Sequence, residues 1–333
     1  MIFLELLFKK PSSETRESMC RAALDLGISP KRRFDYVKEA EQLIKNITGH
    51  EYAKVVNSGN SAILAVMSKF QGPIIIPDQG GWAGFKKIAQ ILGLEVLNIP
   101  TNLGLIEVEP LQDFIIEKRP EALFLTSFSG YMAEQPVKEI FQTCQDHGVS
   151  LVEDASGAVG DPSGNLCCGT HADIIIASTG SPKIVNVGSG GFITSNDTMI
   201  FKNNNYIYKT LQASIITCAG LVNEVQMASK VFTRTVSSCD FIKRKLQNVL
   251  HSTKRGINVC LSTDKPKSMA RRLRKSLNVQ GGNMITNCPR YDRINLPAVC
   301  LEIKNLDIRC LTMDNLNEIV NIVNEINQSN KKQ

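Results

Sequence analysis

A mainly parallel α/β domain followed by a smaller α+β unit is the architecture this sequence predicts, on three observations. Fully apolar runs such as Ile74, Ile75 and Ile76, the ALFLT segment at 122–126, and Ile174, Ile175 and Ile176 recur along the first two hundred residues. Amphipathic stretches of helical period separate them, which is the signature of a sheet covered on both faces. After about residue 200 the composition shifts, and 333 residues are enough for one large core and a second, smaller one. The expected division is 1–200, N-terminal helices plus the large domain, and 201–333, the small domain.

The elements follow in order. The first 50 residues are helical in pattern, with breaks at Pro11, Gly27 and Pro30, and are expected on the outside of the fold or against a partner subunit. Strands are expected at 54–57, 72–77, 94–99, 122–126, 149–152, 174–177 and 192–194. Helices are expected within 58–70 and at 82–92, 111–117 and 137–146. The polar KNNN segment at 202–205 reads as a hinge. A long helix at 221–250, a basic segment, a short strand near 298–303 and a terminal helix at 313–326 complete the chain. The last seven residues, NQSNKKQ, are expected to fray.

Composition bounds the function. Hydrophobic residues make up 43% and charged residues 21%, as in an ordinary globular enzyme. The net charge of +6 suits an anionic ligand but is too spread to argue for nucleic acid. The opening MIFLELLFKK is too short, contains Glu5 and carries its positive charges after the apolar run, so it does not read as an export signal. No stretch approaches the roughly 20 apolar residues of a membrane-spanning helix, and a cytoplasmic location is expected. The ten cysteines show no CxxC pair and read mostly as buried packing. Cys167 and Cys168, adjacent and near His171, allow a metal reading, but zinc sites usually draw on two spaced ligand pairs, so no metal is expected.

The chemistry concentrates between residues 151 and 194. Asp154 ends an apolar run, Ser178 ends the next, Lys183 follows five residues later, and Gly188, Gly190 and Gly191 close the segment. A carboxylate, a hydroxyl and an amine so placed match the needs of pyridoxal 5'-phosphate: a partner for the ring nitrogen, a donor for the phosphate and an amine for the aldehyde. Lys183 is the expected Schiff-base lysine. Glu153 would point to the other side of its strand and read as structural. Ser58, Gly59 and Asn60 lie between a strand and a helix, where exposed N–H groups attract a phosphate, although SGNS is also an ordinary helix cap. Trp82 reads either as a stacking surface for the cofactor ring or as a packing anchor at a helix start. Lys265, Lys267, Arg271, Arg272, Arg274 and Lys275 read either as a solvated helix face or as a contact for a phosphorylated substrate.

Together these residues resemble the fold-type-I pyridoxal phosphate enzymes with the aspartate aminotransferase-like fold. Within them the closest likeness is to the DegT/DnrJ/EryC1/StrS sugar aminotransferases. The resemblance covers about 27–194. VVNSGNSAI is similar to the family's phosphate-loop segment and IIIPDQGGWAGF to the segment with its stacking aromatic. LVEDASGAVG resembles its EDAAQAHG-like segment, and ASTGSPKIVNVGSGGFITS its SFHPTKN…GEGGAVVT-like segment, with the same Ser-to-Lys spacing. The resemblance implies that Lys183 carries the cofactor, that Asp154 pairs with the ring nitrogen, and that Ser178, Gly59 and Asn60 hold the phosphate. It also implies a homodimer with shared active sites. The chain departs from the pattern at Gly157, where the family has Gln or His, and at Ala219 and Leu221, where it has an Asn and an Arg of the shared site. The C-terminal region is short for the family.

The expected activity is transfer of an amino group from a small-molecule donor to a keto or aldehyde acceptor, such as a nucleotide-linked keto-sugar or another phosphorylated substrate. Two rivals remain open: a carbon–sulfur lyase or desulfurase using Cys167 or Cys168, and a non-catalytic regulatory or anion-binding relative.

Overall fold

In a computed structural model, residues 5–27, 34–202 and 205–331 are described. The chain opens with β1 (Leu6–Leu7), α1 (Ser13–Leu24) and α2 (Tyr36–Thr48). The large sheet is then laid down through β2 (Tyr52–Val56), α3 (Gly59–Met67), β3 (Ile74–Pro77), α4 (Ala83–Leu92), β4 (Val96–Ile99), α5 (Val108–Lys118) and β5 (Ala122–Thr126). A hairpin of β6 (Phe128–Ser129) and β7 (Ala133–Glu134) follows, then α6 (Val137–Asp146), β8 (Ser150–Asp154), β9 (Ile174–Ser178) and β10 (Gly191–Ser195). Two short helices, α7 (Met199–Lys202) and α8 (Asn205–Thr210), lead into the long α9 (Ile215–Lys245). The C-terminal part holds β11 (Val259–Ser262), α10 (Pro266–Ser276), β12 (Val279–Gln280), β13 (Ile285–Arg290), β14 (Ile294–Leu301) and α11 (Met313–Lys331).

Seven strands form the large sheet in the order β2-β10-β9-β8-β5-β3-β4, with β10 antiparallel to both neighbours and the β9-to-β4 pairings parallel. Alternation along each strand divides the apolar side chains between two cores. Ile75, Leu123, Leu125, Leu151 and Ile175 pack with Leu221, Val225 and Phe232 of α9 on one face. Ile74, Ile76, Phe124, Val152 and Ile176 pack with α3 and α4 on the other. This two-sided burial explains the uninterrupted apolar runs of the sequence. A three-stranded antiparallel sheet, β11-β14-β13, buries Val259, Leu261, Val299 and Leu301 against α10 and α11.

The structure corrects the expected elements in three places. The N-terminal segment is not wholly helical. Leu6–Leu7 pairs in parallel with Val279–Gln280, and α1 and α2 pack on this chain's own α9. A two-residue strand is too short to leave a period-two pattern. The long helix begins at Ile215 rather than 221, with the Ser214 hydroxyl accepting from Thr217 N–H, and ends at Lys245. Gly220 resembles a break but lies inside the helix, where a Cβ would come within 3.0 Å of Met19 on α1. Finally, β11 and β13 were not expected, since β13 carries Asn287, Pro289 and Arg290 among its apolar residues. Pro30 and positions 203–204 of the expected hinge lie outside the described residues.

Candidate functional site

The carboxyl ends of the parallel strands share one edge, where ligands bind in sheets of this kind. A cleft of about 340 Å³ opens there. All seven site residues selected from the sequence line it. Ser58, Gly59 and Asn60 come from the β2–α3 junction, Trp82 from the start of α4, Asp154 from the end of β8, Ser178 from the end of β9, and Lys183 from the loop beyond. The other side of the cleft is formed by Asp292 and Arg293, in the β13–β14 turn, and by Lys304.

At the α3 end, Ser58 caps the helix by accepting from Ser61 N–H at 3.1 Å. The first N–H groups of a helix have no acceptor within it and carry partial positive charge. Gly59 is required by crowding, because a Cβ there would lie 2.5 Å from the Cβ of Ser178. The Trp82 indole N–H donates to Asn60 Oδ1 at 2.9 Å and the ring lies against Gly84, where any Cβ would strike it. Trp82 therefore stands beside the phosphate-type loop with Lys183 Nζ 5.7 Å from its ring centre.

Asp154 is buried and accepts at Oδ1 from both the N–H and the hydroxyl of Ser156. The Ser156 hydroxyl in turn accepts from Ser178 N–H at 2.8 Å, joining the acidic and hydroxyl ends of the cleft. Burial pushes the Asp154 carboxyl up, and the Lys183 charge and the Ser156 donors pull back only part of the way. Lys183 Nζ donates to the Tyr131 hydroxyl at 2.7 Å. Burial works against its charge, but Tyr131 and Asp154 outweigh it and hold the ammonium above its ordinary value. The face of Tyr131 is crowded by cations, with Lys183, Arg293 and Lys304 at 5.0, 4.8 and 5.0 Å from its ring centre. Arg293 is anchored to Glu302 by two hydrogen bonds of 2.6 and 2.9 Å.

Tyr131, Ser156, Arg293 and Lys304 were not selected from the sequence. Tyr131 left one trace: it follows Gly130 in a tight hairpin and adopts a φ of +64°, unusual for a non-glycine residue. Ser156, two residues beyond Asp154, fits an Asx-type turn. The other two reach the cleft only through tertiary packing.

Comparison with known proteins places this geometry. Residues 12–213 match the model of the DegT/DnrJ/EryC1/StrS aminotransferase family, over half of the chain. The chain belongs to that family. Residues 229–324 match a second model, the MJ1341 family C-terminal domain. Among curated proteins the chain is similar to GDP-perosamine synthase of Vibrio cholerae, 26% identical over 178 residues that cover 50% of this chain and 46% of that protein. It is also similar to GDP-perosamine synthase of Caulobacter vibrioides, 27% identical over 170 residues, 49% of this chain and 44% of that protein. The chain thus matches these relatives over about half of their length. Among solved structures, Helicobacter pylori PseC, an aminotransferase involved in the biosynthesis of pseudoaminic acid, superposes with a TM-score of 0.76 at 14% identity, covering 98% of this chain and all of that one. 3-Amino-5-hydroxybenzoic acid synthase gives 0.74 at 15%, covering 98% and 99%. These neighbours establish the fold-type-I architecture, and the cofactor of the family is pyridoxal phosphate.

The cleft fits that cofactor on its own geometry: a helix start with a glycine cradle, a buried carboxylate and a lysine converge on one space. The departures from the family pattern also have structural counterparts. A Cβ at Gly157 would come 2.8 Å from Ile257 Cδ1 and 3.2 Å from the Tyr131 ring, so Ile257 and Tyr131 together fill the space a longer side chain at 157 would need. Ala219 and Leu221 are fully buried on α9 and do not line the cleft. The basic residues of 265–275 lie on and beside α10, away from the cleft. Glu153 accepts from Ser127 Oγ and Cys167 N–H on the far side of β8, the structural role the strand alternation implies. Cys167 is buried with its thiol pushed well up by burial, and neither it nor Cys168 reaches the cleft. These two do not gather with His171 into a metal-ligating group. The described residues place three other cysteines together instead.

Proposed function

We propose that this chain is a pyridoxal phosphate-dependent aminotransferase that moves an amino group from a small-molecule donor to a keto or aldehyde acceptor of the nucleotide-linked keto-sugar class. The observation that carries this reading is the convergence of Lys183, Asp154 and the α3 start on a single cleft. The names of the curated relatives support the sugar acceptor. A homodimer is the assembly proposed by family likeness.

Pyridoxal phosphate, when bound, would supply an aldehyde and an electron-accepting ring. Lys183 would be the amine that holds the aldehyde and, when released by the amino donor, the base placed to take the proton from the donor's α-carbon and to deliver a proton at the aldehyde carbon, two atoms away. Asp154 would pair with the ring nitrogen and hold its proton. Gly59, Asn60 and Ser178, with Ser58 capping the helix start, would bind the phosphate. Trp82 would cover the ring face. Tyr131 would position Lys183 through its hydroxyl. Arg293 and Lys304 would give the substrate side of the cleft its positive charge.

The first test is the visible spectrum of the purified protein before and after borohydride reduction, with the tagged peptide located by mass spectrometry. A yellow protein tagged at Lys183 and active with a panel of amino donors is expected. A colourless protein that takes up no added cofactor would refute the proposal.

Two variants probe the supporting residues. Ser156→Ala removes a donor to a charged carboxylate and leaves Ser178 N–H unpaired, so cofactor affinity should fall by about 10- to 100-fold. An absorbance titration of the cofactor-free protein reads this, with circular dichroism as the control for folding. Tyr131→Phe removes a group that raises the Lys183 pKa. The lysine should therefore be neutral to a lower pH, and the pH profile of its condensation with added pyridoxal phosphate should shift to the acid side. An unshifted profile would mean that Tyr131 is only a packing residue.

A further inference from the structure

Three thiols of the small sheet point the same way. Cys260 on β11 stands opposite Cys300 on β14, and Cys288 on β13 stands opposite Ala298, two residues from Cys300 on the same strand. Because side chains alternate, the three sulfurs share one face. The other face carries Val259, Leu261, Val299 and Leu301 into an ordinary apolar core. The cysteine face instead meets the β6–β7 hairpin at Met132 and Ala133, directly after Tyr131 of the cleft. All three cysteines are fully buried, with their Sγ atoms within 4.8 Å of one another.

We propose that Cys260, Cys288 and Cys300 form a structural site for one soft, thiophilic cation of the zinc and cadmium class. Thiolate sulfur selects such ions, and the triad offers no oxygen ligand for a hard cation. Metal–sulfur bonds of about 2.3 Å set the sulfurs of a three-thiolate centre about 4 Å apart. Cys288 and Cys300, at 3.8 Å, already stand at that spacing. Cys260 and Cys300, at 2.9 Å, need to part by about 1 Å, within the reach of a side-chain rotation. Binding a divalent ion releases three thiol protons to solvent and leaves one net negative charge. The site is closed to solvent, so its effect is to tie β11, β13 and β14 together on the face that packs against the hairpin carrying Tyr131.

The test is a cadmium titration of the reduced holoprotein in a Cys20→Ala/Cys168→Ala background, which removes the two thiols that are not buried. Thiolate-to-cadmium absorbance in the ultraviolet and native mass spectrometry should report one cadmium per chain, with the softer cadmium displacing zinc from zinc-loaded protein, and a rise in melting temperature. Adding Cys288→Ala should abolish the stoichiometric binding while leaving the cofactor absorbance in place. The triple variant Cys260→Ala/Cys288→Ala/Cys300→Ala should behave alike, and if it fails to fold the single substitution still decides. No cadmium band in the background protein would overturn the proposal, as would a band that survives Cys288→Ala or a Cys260–Cys300 disulfide in protein kept free of oxidant.

Discussion

Lys183→Ala is expected to leave a folded protein with no measurable amino-group transfer. Two losses coincide in this variant. The amine that would hold the cofactor aldehyde is gone, and so is the group placed to move a proton at the substrate carbon. A positioned proton-transfer group alone contributes about 10²- to 10⁴-fold in rate, before the covalent role is counted. The substitution also removes the cation that faces Asp154. That charge is the main influence opposing the effect of burial on the carboxyl, so the Asp154 pKa should rise further without it. Lys183→Met, which keeps much of the side-chain volume, separates a packing effect from the chemical one. Single-turnover transfer from the best amino donor is the measurement, together with borohydride tagging, which should no longer mark the 177–195 peptide. Activity within tenfold of the parent would remove Lys183 from the mechanism.

The residues of this expected site were legible because they are local. Asp154, Ser178 and Lys183 each follow an apolar run, and a run that is apolar on both faces marks its own carboxyl end. For the same reason β5 and α6 have the bounds the sequence implies: ALFL is apolar throughout with Thr126 closing the strand, and α6 is delimited by Pro136 and by Gly148. What the sequence hides depends on chain segments meeting in space. Arg293 reaches the cleft from the β13–β14 turn and Lys304 from the helical turn that follows β14, and β13 is too polar to announce itself as a strand. The three clustered cysteines span 40 residues of chain, the last two of them 12 apart, and only the register of three strands brings them onto one face. Cys167 and Cys168, adjacent in sequence and so the natural suspects, fail for a matching reason. One is held buried by the Glu153 contact, and neighbours on a strand or loop rarely face the same way.

Arg293→Met is expected to destabilise the protein by about 3–5 kcal/mol at neutral pH, the usual consequence of leaving one member of a buried ion pair alone. Glu302 is almost fully buried and accepts two hydrogen bonds from Arg293 and one of 2.7 Å from Asn258. Burial by itself would raise the carboxyl, but the charges of Arg293 and Lys304 outweigh it and hold Glu302 down to about 2, against an ordinary value of 4.5. Its folded-state pKa is therefore depressed, so its contribution is present in full above the unfolded value of 4.5 and is lost as the pH falls through about 2. That shift corresponds to about 3 kcal/mol. In Arg293→Met the depression shrinks, because its largest cause is lost and Lys304, at 3.4 Å and fully charged at acid pH, is the remaining charge partner. The variant should then be less stable at neutral pH yet lose less on acidification between 4.5 and 2 than the parent. Adding Glu302→Gln removes the stranded charge and should recover part of the loss, which a cavity or a misplaced turn would not predict. Denaturant unfolding of the three proteins across that pH range decides the matter. Equal destabilisation of the single and double variants would show that Arg293 acts through packing on Tyr131 rather than through Glu302.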